Sequence, residues 1–330
     1  MTVALVTGGG GFLGQALCRA LIARGATVRS LARGDYPELN AVGVETIRGD
    51  IACRDDVLRT AEGCDVVFHV AAKAGVWGAA SEYHRANVVG TQNVLEACRH
   101  HGVARLIYTS SPSVVYAGHD EAGLNESTPY PATYLTHYPR TKAEAERLVL
   151  AANGPTLSTV ALRPHLIWGP GDNHLVPRLI ARAKAGKLRR VGNGRNRVDT
   201  TYIDNAVAAH LAAFDRLSPT AACAGKTYFI ANNEPRPLWE LIDQMLACAD
   251  LPPVRQSISA GTAYSIGAVL EGLYTVMRWQ DEPPMTRFVA RQLSTDHWYD
   301  LTAAIHDLGY QPAVSVDEGL RRLREWMSAR

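Results

Sequence analysis

The chain has 330 residues, 47% of them hydrophobic and 20% charged, with a formal net charge of +2. This composition allows one large core, and basic residues that are scattered rather than banded argue against a nucleic-acid-binding protein. The six cysteines show neither a CxxC pair nor a histidine-rich ligand spacing, which predicts reduced, buried thiols, no metal site and a cytoplasmic protein.

The first predicted element is a strand over residues 3–6, which runs directly into the glycine-rich segment 7–14 and then into a helix-period pattern. Strand, glycine turn and helix in this order are typical of a dinucleotide-binding site. Gly8 permits the sharp turn, Gly11 removes a Cβ where a pyrophosphate approaches, and Gly14 lets the helix pack against the strand. Free N–H groups at the start of the helix then face the phosphates. No basic segment precedes the strand, so we do not expect a signal peptide.

Further β-prone segments alternate with helical patterns through the first half of the chain. The predicted strands cover residues 26–31, 44–48, 65–70, 105–109 and 157–162, and the long helices cover 81–101 and 134–153. The chain is expected to return to the sheet near 227–231 and then to form a helix at 237–249. This alternation predicts an α/β protein with a doubly wound parallel sheet, that is, a Rossmann fold.

Proline and glycine become frequent after residue 163, which indicates a smaller, inserted lobe. We therefore predict a nucleotide-binding domain over residues 1–164, with further sheet and helix elements from about 198–232. Residues 165–197 and 233–330 would form a C-terminal substrate-binding lobe.

The segment 258–279 is strongly apolar but too short and too rich in glycine for a membrane-spanning helix. Our main interpretation is a helix that lies in the core or lines a pocket. The alternative is a surface that touches a membrane, a lipid substrate or a partner protein.

Tyr138 and Lys142 form a Tyr-x-x-x-Lys motif on the predicted helix 134–153. Residues four apart share a helix face, so the ammonium can lie near the phenol and lower its pKa. Upstream, Ser110 and Ser111 follow the fifth strand, at the edge of an open parallel sheet where ligands bind. A hydroxyl at that edge can hydrogen-bond a substrate carbonyl, and either serine could point inward.

These motifs together resemble the extended short-chain dehydrogenase/reductase family, and the resemblance covers nearly the full chain. The residues that carry it are Thr7, Gly8, Gly11, Gly14, Gly49, Asp50, Ala71, Ala72, Asn87, Ser111, Tyr138, Lys142, Leu162, Arg163, Pro164, Tyr202, Ile203 and Asp204. The resemblance implies that Tyr138 is the acid/base, that Lys142 is its electrostatic partner and that Ser111, with Ser110 as the fallback, hydrogen-bonds the carbonyl.

The resemblance also implies a nicotinamide cofactor, with Asp50 at the adenine and Ala71 and Ala72 along the cofactor groove. The expected cofactor-binding residues are Thr7, Gly8, Gly11, Phe12, Leu13, Gly14, Arg33, Asp50, Ile51, Ala71, Ala72, Lys73, Asn87, Tyr138, Lys142 and Pro164.

The end of the second predicted strand indicates which nicotinamide cofactor is used. An acidic residue there would bind the ribose 2′-hydroxyl of NAD, but the acid Asp35 comes only after Arg33. Because a guanidinium binds and stacks on a 2′-phosphate, Arg33 favours NADP(H). Ser30 could add a hydroxyl contact.

Within that family, the chain resembles the 3β-hydroxysteroid dehydrogenase branch, and more closely the ketoreductases of bacterial long-chain olefin biosynthesis. The segments that carry this likeness are 71–78, 166–172, 198–205 and 283–288. It implies NADPH-dependent reduction of a 2-alkyl-3-oxoalkanoate to the 2-alkyl-3-hydroxyalkanoate. The alternatives are a hydroxysteroid or sterol dehydrogenase, a nucleotide-sugar epimerase or reductase, and a non-catalytic NADP-sensing scaffold.

A long β-keto acid needs an apolar trough and a cation for its carboxylate. Candidates for the trough are the segment 258–279, Trp77, Trp168 and Leu175, and candidates for the cation are Arg140, His165, Arg178 and Arg197. His137, beside the Tyr-x-x-x-Lys motif, could tune Tyr138 or simply lie on the helix surface. The family resemblance also implies a homodimer through helices 81–101 and 134–153. A complex with other olefin-pathway enzymes, or peripheral membrane contact through 258–279, is a further expectation.

Overall fold

A seven-stranded, wholly parallel sheet forms the centre of the computed structural model, which describes residues 1–329. The strands are, in chain order, β1 (Val3–Thr7), β2 (Thr27–Ala32), β3 (Glu45–Arg48), β4 (Val66–His69), β5 (Arg105–Thr109), β6 (Glu121–Leu124), β7 (Ser158–Pro164), β8 (Ile167–Trp168), β9 (Arg190–Val191), β10 (Arg197–Val198), β11 (Thr201–Tyr202), β12 (Lys226–Ile230), β13 (Arg236–Pro237), β14 (Ser257–Ile258) and β15 (His297–Tyr299).

The central sheet has the order β12-β7-β5-β4-β1-β2-β3, and each neighbouring pair is parallel. Strand order therefore reverses beside β1, as in a doubly wound nucleotide-binding fold. The predicted fold class is confirmed, and each of the seven sheet strands lies within a few residues of its predicted position.

Helices cover both faces of this sheet. They are α1 (Phe12–Ala23), α2 (Pro37–Asn40), α3 (Arg54–Ala61), α4 (Ala80–Tyr83), α5 (Gly90–His101), α6 (His137–Ala151), α7 (Leu175–Lys184), α8 (Ile203–Arg216), α9 (Leu238–Ala247), α10 (Ala260–Val276), α11 (Arg287–Gln292) and α12 (Val316–Ser328). A π-helical turn at His84–Val89 joins α4 to α5, so the predicted helix 81–101 is one rod with a widened turn.

Alternate residues of β1 divide the core into two apolar layers. Ala4 and Val6 lie in the layer that includes α1 and α8, whereas Leu5 lies in the layer with α3, α5 and α6. This alternation follows from the two-residue period of a strand buried on both faces.

A second, four-stranded sheet has the order β13-β10-β15-β6. Strand β6 comes from the first half of the chain and pairs in parallel with β15, which comes from near its end. One segment of the predicted first domain is therefore paired with the predicted substrate lobe. The division at residue 164 stays a prediction.

Helix α10 differs from the main sequence-based interpretation. Its buried residues are Ala263 and Gly267, while Val269 is 69% and Val276 is 79% exposed. The expected burial in the core is therefore wrong for most of the helix, and an apolar face lies in contact with solvent, whereas a role in lining a pocket stays a prediction. No helix within residues 1–329 is long and apolar enough to cross a membrane.

The cysteines are free thiols, as predicted. Cys53 is the exception to their expected burial, because it is exposed at the start of α3.

Candidate active site

The glycine segment between β1 and α1 forms a cradle that only small residues permit. Gly8 has a φ of +72°, and a Cβ there would lie 2.8 Å from the Cα of Ala71. A Cβ at Gly14 would lie 2.1 Å from the carbonyl oxygen of Gly8. Gly11 caps α1 in an extended conformation, and this N-cap has no side-chain hydrogen bond. The free N–H groups and the positive end of the helix fit a bound pyrophosphate.

Phe12 and Leu13 form the first turn of α1, with Leu13 buried and Phe12 partly buried. Thr7 is fully buried beneath the cradle, where its Oγ1 lies 2.7 Å from Nδ1 of His69. The same Oγ1 accepts a hydrogen bond from the N–H of Ala71. Thr7 therefore ties the glycine turn to the segment after β4, rather than facing the groove.

The end of β2 presents Arg33 to solvent, and this guanidinium makes no ion pair with another described residue. Asp35, the acid that could compete for the ribose, lies 3.7 Å from Arg48. Ser30 is 1% exposed, and a Cβ at Gly9 would lie 2.1 Å from its Oγ. Ser30 is thus buried beneath the glycine turn, and the expected hydroxyl contact to the cofactor is wrong.

Tyr36 is a neighbour of the cradle that the sequence analysis missed. A Cβ at Gly10 would lie 1.9 Å from its Cζ atom, so the ring lies directly against the glycine turn. Its position four residues after β2 carries no signal by itself, because the contact depends on how the loop folds back.

Asp50, the expected adenine contact, follows β3 and is already engaged. Its Oδ2 accepts a hydrogen bond of 2.7 Å from Arg85, and its Oδ1 accepts one from the N–H of Ala52. Ile51 is buried, because it packs against Gly90 at the start of α5.

Asn87 holds the loop after β4 in place. Its amide oxygen accepts from the N–H of Lys73 at 2.7 Å, and its amide nitrogen donates to Lys73 O and to Thr141 Oγ1. Because Asn87 is 2% exposed and lies in the π-helical turn, it connects that turn, the β4 loop and α6. Ala71 and Ala72 are the partly exposed start of the same loop.

Ser111 follows β5, half-buried, with its Oγ 2.9 Å from the Oγ of Ser113. It also caps the short 3₁₀ turn Pro112–Val114 by accepting from the N–H of Ser113. Ser110 is 4% exposed, and its hydroxyl has no partner among the described residues. Of the two serines, Ser111 is thus the one with accessible surface.

Tyr138 lies in the first turn of α6 and keeps part of its side chain accessible. Burial raises the pKa of its phenol, and a hydrogen-bonding interaction with Ser111 opposes this in part. The net direction is therefore upward, opposite to the lowering by Lys142 that the motif predicted. A phenol with a raised pKa is protonated at neutral pH and can donate a proton.

Lys142 lies one turn further along α6 and is 2% exposed. Its Nζ donates to the carbonyl oxygen of Thr109 at 2.6 Å and lies 4.1 Å from the ring centroid of Tyr108. These contacts direct the ammonium toward the end of β5. The pKa of Lys142 is lowered to about 7, because the effect of burial outweighs the opposing effect of the Glu146 carboxylate.

A buried ion pair lies beneath Lys142, and the sequence analysis did not identify it. Glu146 and Arg163 are linked by hydrogen bonds of 2.5 and 3.0 Å, and Tyr130 donates to Glu146 at 2.6 Å. The spacing of Lys142 and Glu146 along one helix face was a usable signal. Pro164, an expected cofactor contact, is buried at the end of β7 beside this network.

Several candidates for substrate contacts are excluded by their surroundings. His165 Nδ1 donates to the carbonyl oxygen of Asp199, and burial lowers the pKa of His165 to about 3, so this residue is neutral and cannot be the cation. Trp168 is fully buried against Tyr202 and does not line a trough. Arg197 donates to the carbonyl of Pro235. Arg178 is paired with Glu282. No cluster of potential metal ligands exists within residues 1–329.

Comparison of the chain with known proteins identifies its family and shows which enzymes it is similar to. The model of the 3-beta hydroxysteroid dehydrogenase/isomerase family matches residues 5–257. The 2-alkyl-3-oxoalkanoate reductase of Stenotrophomonas maltophilia is 57% identical over 97% of this chain and 98% of its own length. The enzyme of the same name from Shewanella oneidensis is 51% identical over 97% of this chain and 85% of its own length.

Among solved structures, MoeE5 in complex with UDP-glucuronic acid and NAD superposes with a TM-score of 0.74. It is 27% identical, and the match covers 99% of each chain.

Proposed function

The chain belongs to the 3-beta hydroxysteroid dehydrogenase/isomerase family, and from this we propose that it reduces the 3-keto group of a 2-alkyl-3-oxoalkanoate with NADPH. The chain is an oxidoreductase, and its relatives at 57% and 51% identity are both named 2-alkyl-3-oxoalkanoate reductase. The observation that carries the proposal is the interaction of Ser111 with the protonated Tyr138, one helical turn before the buried Lys142.

The cofactor is a nicotinamide dinucleotide, and the chain offers a matching set of groups for it. The cradle of Gly8, Gly11 and Gly14 would hold the pyrophosphate against the start of α1. Arg33 supports NADP rather than NAD, because it is an exposed cation at the end of β2 and Asp35 faces Arg48 instead. Lys142 would bind the nicotinamide ribose.

In the proposed reaction, Ser111 and Tyr138 hydrogen-bond the 3-keto oxygen and polarise the carbonyl. A reduced nicotinamide, when bound, would supply the hydride that the carbonyl carbon accepts. Tyr138 gives its proton to the oxygen, which completes the alcohol, and Lys142 stabilises the phenolate that remains. Because burial raises the pKa of the phenol, Tyr138 holds its proton until hydride transfer creates an alkoxide that accepts it.

Two parts of this proposal concern the rest of the chain. Residues 165–197 and 233–330 form the substrate-binding lobe. Two copies associate through α5 and α6, and light scattering of the purified protein tests this: a mass of one chain would contradict it.

The direct test is oxidation of a 2-alkyl-3-hydroxyalkanoate, followed by the absorbance of reduced nicotinamide. We expect turnover with NADP and much less with NAD. Turnover of a 3β-hydroxysterol or a nucleotide sugar, but not of the hydroxy acid, would contradict the proposed substrate. Nucleotide binding without turnover of any of the three would instead favour a sensing scaffold.

A further inference from the structure

The substrate of the proposed function carries a carboxylate two carbons from the reacting oxygen, and the chain must neutralise it. Arg178 and Arg182 lie one turn apart on α7, at the face of this helix toward the segment after α10. Arg182 is half-buried and has no hydrogen bond or ion pair from its guanidinium to any described residue. A half-buried, unpaired guanidinium is costly unless an anion joins it.

One internal carboxylate already lies at these arginines. Glu282 accepts hydrogen bonds from both terminal nitrogens of Arg178, one of them at 3.2 Å, in the two-pronged arrangement that arginine forms with carboxylates. Arg182 is close enough to Arg178 and Glu282 for their charges to act on it: burial and Arg178 lower the pKa of Arg182, and Glu282 raises it. The geometry of the site therefore suits a carboxylate.

A chain of contacts runs from Trp279, three residues before Glu282, to His137, the residue before the catalytic tyrosine. Trp77 Nε1 donates to the carbonyl of Trp279 at 3.2 Å, and the Tyr83 hydroxyl donates to the carbonyl of Trp77 at 2.9 Å. The ring of Tyr83 lies 6.2 Å from that of His137, the residue next to Tyr138. Burial raises the pKa of Tyr83 to about 12, and Glu282 and Tyr138 both contribute to the rise. Glu282 and Tyr138 are thus both close enough to Tyr83 to affect the ionisation of its phenol.

Building on the proposed function, we infer that Arg178 and Arg182 bind the carboxylate of the β-keto acid, and that this carboxylate replaces Glu282 at Arg178. Glu282 is then an internal competitor on the segment between α10 and α11. Its displacement frees that segment to move as the substrate enters. Lys73 is the other cation near Tyr83, but its Nζ is paired with Glu82 at 2.9 Å.

The test compares a 2-alkyl-3-hydroxyalkanoate, of a chain length that stays monomeric in solution, with its methyl ester, which lacks the charge. Turnover with NADP and calorimetric binding are both measured for the unmodified protein, Arg178→Met, Arg182→Met and Glu282→Gln. Lys184→Met is the matched control, because Lys184 is an exposed cation in the last turn of the same helix. Thermal stability and NADPH affinity of each variant show that the fold and the cofactor site are intact.

We expect each arginine variant to lower kcat/KM and affinity for the acid by about 10- to 100-fold, the usual value of a hydrogen bond to a charged group, and to leave the ester unchanged. Glu282→Gln removes the competitor and tightens binding of the acid. Lys184→Met changes neither. Equal losses for acid and ester, or weaker binding of the acid by Glu282→Gln, would overturn the inference.

Failure of the proposed function gives a different result from failure of the inference, because the unmodified protein then turns over neither the acid nor the ester. Calorimetry then still decides the inference, because binding of the acid that depends on Arg178 supports it and the absence of such binding overturns it.

Discussion

At the residue scale, the charge of Lys142 depends strongly on its surroundings. It is 2% exposed, and burial lowers its pKa to about 7, with Glu146 acting in the opposite direction. In the unfolded chain a lysine has a pKa of about 10.4. Between these values the unfolded state binds more protons at this position than the folded state, so the free energy of unfolding rises with pH.

Replacement of this lysine by methionine tests the charge directly. From pH 7 to pH 8.5, we expect the unmodified protein without nucleotide to gain about 1 to 2 kcal/mol of stability relative to Lys142→Met. Urea unfolding at several pH values measures both proteins, and the comparison cancels titrations that the two share. A difference that does not change with pH would show that Lys142 keeps an ordinary pKa in the folded state.

Arg33 determines the choice of cofactor in this account. Because a 2′-phosphate would lose its charged partner, Arg33→Ala should raise KM for NADPH by about tenfold and leave KM for NADH nearly unchanged. Steady-state kinetics with both cofactors provide the measurement. Equal effects on the two cofactors would remove Arg33 from this role.

At the element scale, the contact of β1 with α1 depends on glycines that leave no room for a side chain. A Cβ at Gly14 would lie 2.1 Å from the carbonyl oxygen of Gly8 and 2.7 Å from the Cα of Gly9. The clash is with backbone, so α1 must move away from the turn. In contrast, a Cβ at Gly272 in α10 meets no atom within 4 Å.

These two helical glycines form a matched pair. Gly14→Ala should cost about 1 to 3 kcal/mol of stability and weaken NADPH binding. Gly272→Ala should add about 0.5 to 1 kcal/mol, since alanine favours a helix, and leave NADPH binding unchanged. Thermal unfolding and NADPH fluorescence titration measure both effects. Normal NADPH affinity in Gly14→Ala would argue against the cradle.

Helix α10 offers a second test at this scale, because its outer face is apolar but exposed. Val269 and Leu273 lie one turn apart and are 69% and 45% exposed. Val269→Lys and Leu273→Lys should each change the free energy of unfolding by less than about 0.5 kcal/mol, as surface substitutions do. If the helix were packed in the core, each would cost several times more, and urea unfolding separates the two outcomes.

At the scale of the whole molecule, the sequence predicted the sheet because strands and helices alternate with clear punctuation. The strand periods, the glycine turn and the positions of Ser111, Tyr138 and Lys142 were all visible as local patterns. Local pattern could not reveal that β6 pairs with β15, because the two are separated by most of the chain.

Because local sequence patterns do not reveal contacts between distant segments, the sequence analysis missed several contacts around the candidate site. The burial of Ser30 beneath Gly9, the Tyr36 ring against Gly10 and the Glu282–Arg178 pair all depend on tertiary contacts. The apolar character of α10 was correctly read, but composition alone does not say which face meets the core. Sequence patterns therefore indicated candidate catalytic groups, but they did not indicate the surroundings that set the charge of these groups.

The central claim is that Tyr138 delivers the proton while the rest of the molecule binds and orients the reactants. The most direct measurement is the turnover of Tyr138→Phe with a 2-alkyl-3-hydroxyalkanoate and NADP, together with its affinity for NADPH. The account predicts a loss of about 10²- to 10⁴-fold in kcat, as expected when a general acid/base is removed, with NADPH affinity retained. Near-normal kcat in that variant would contradict it.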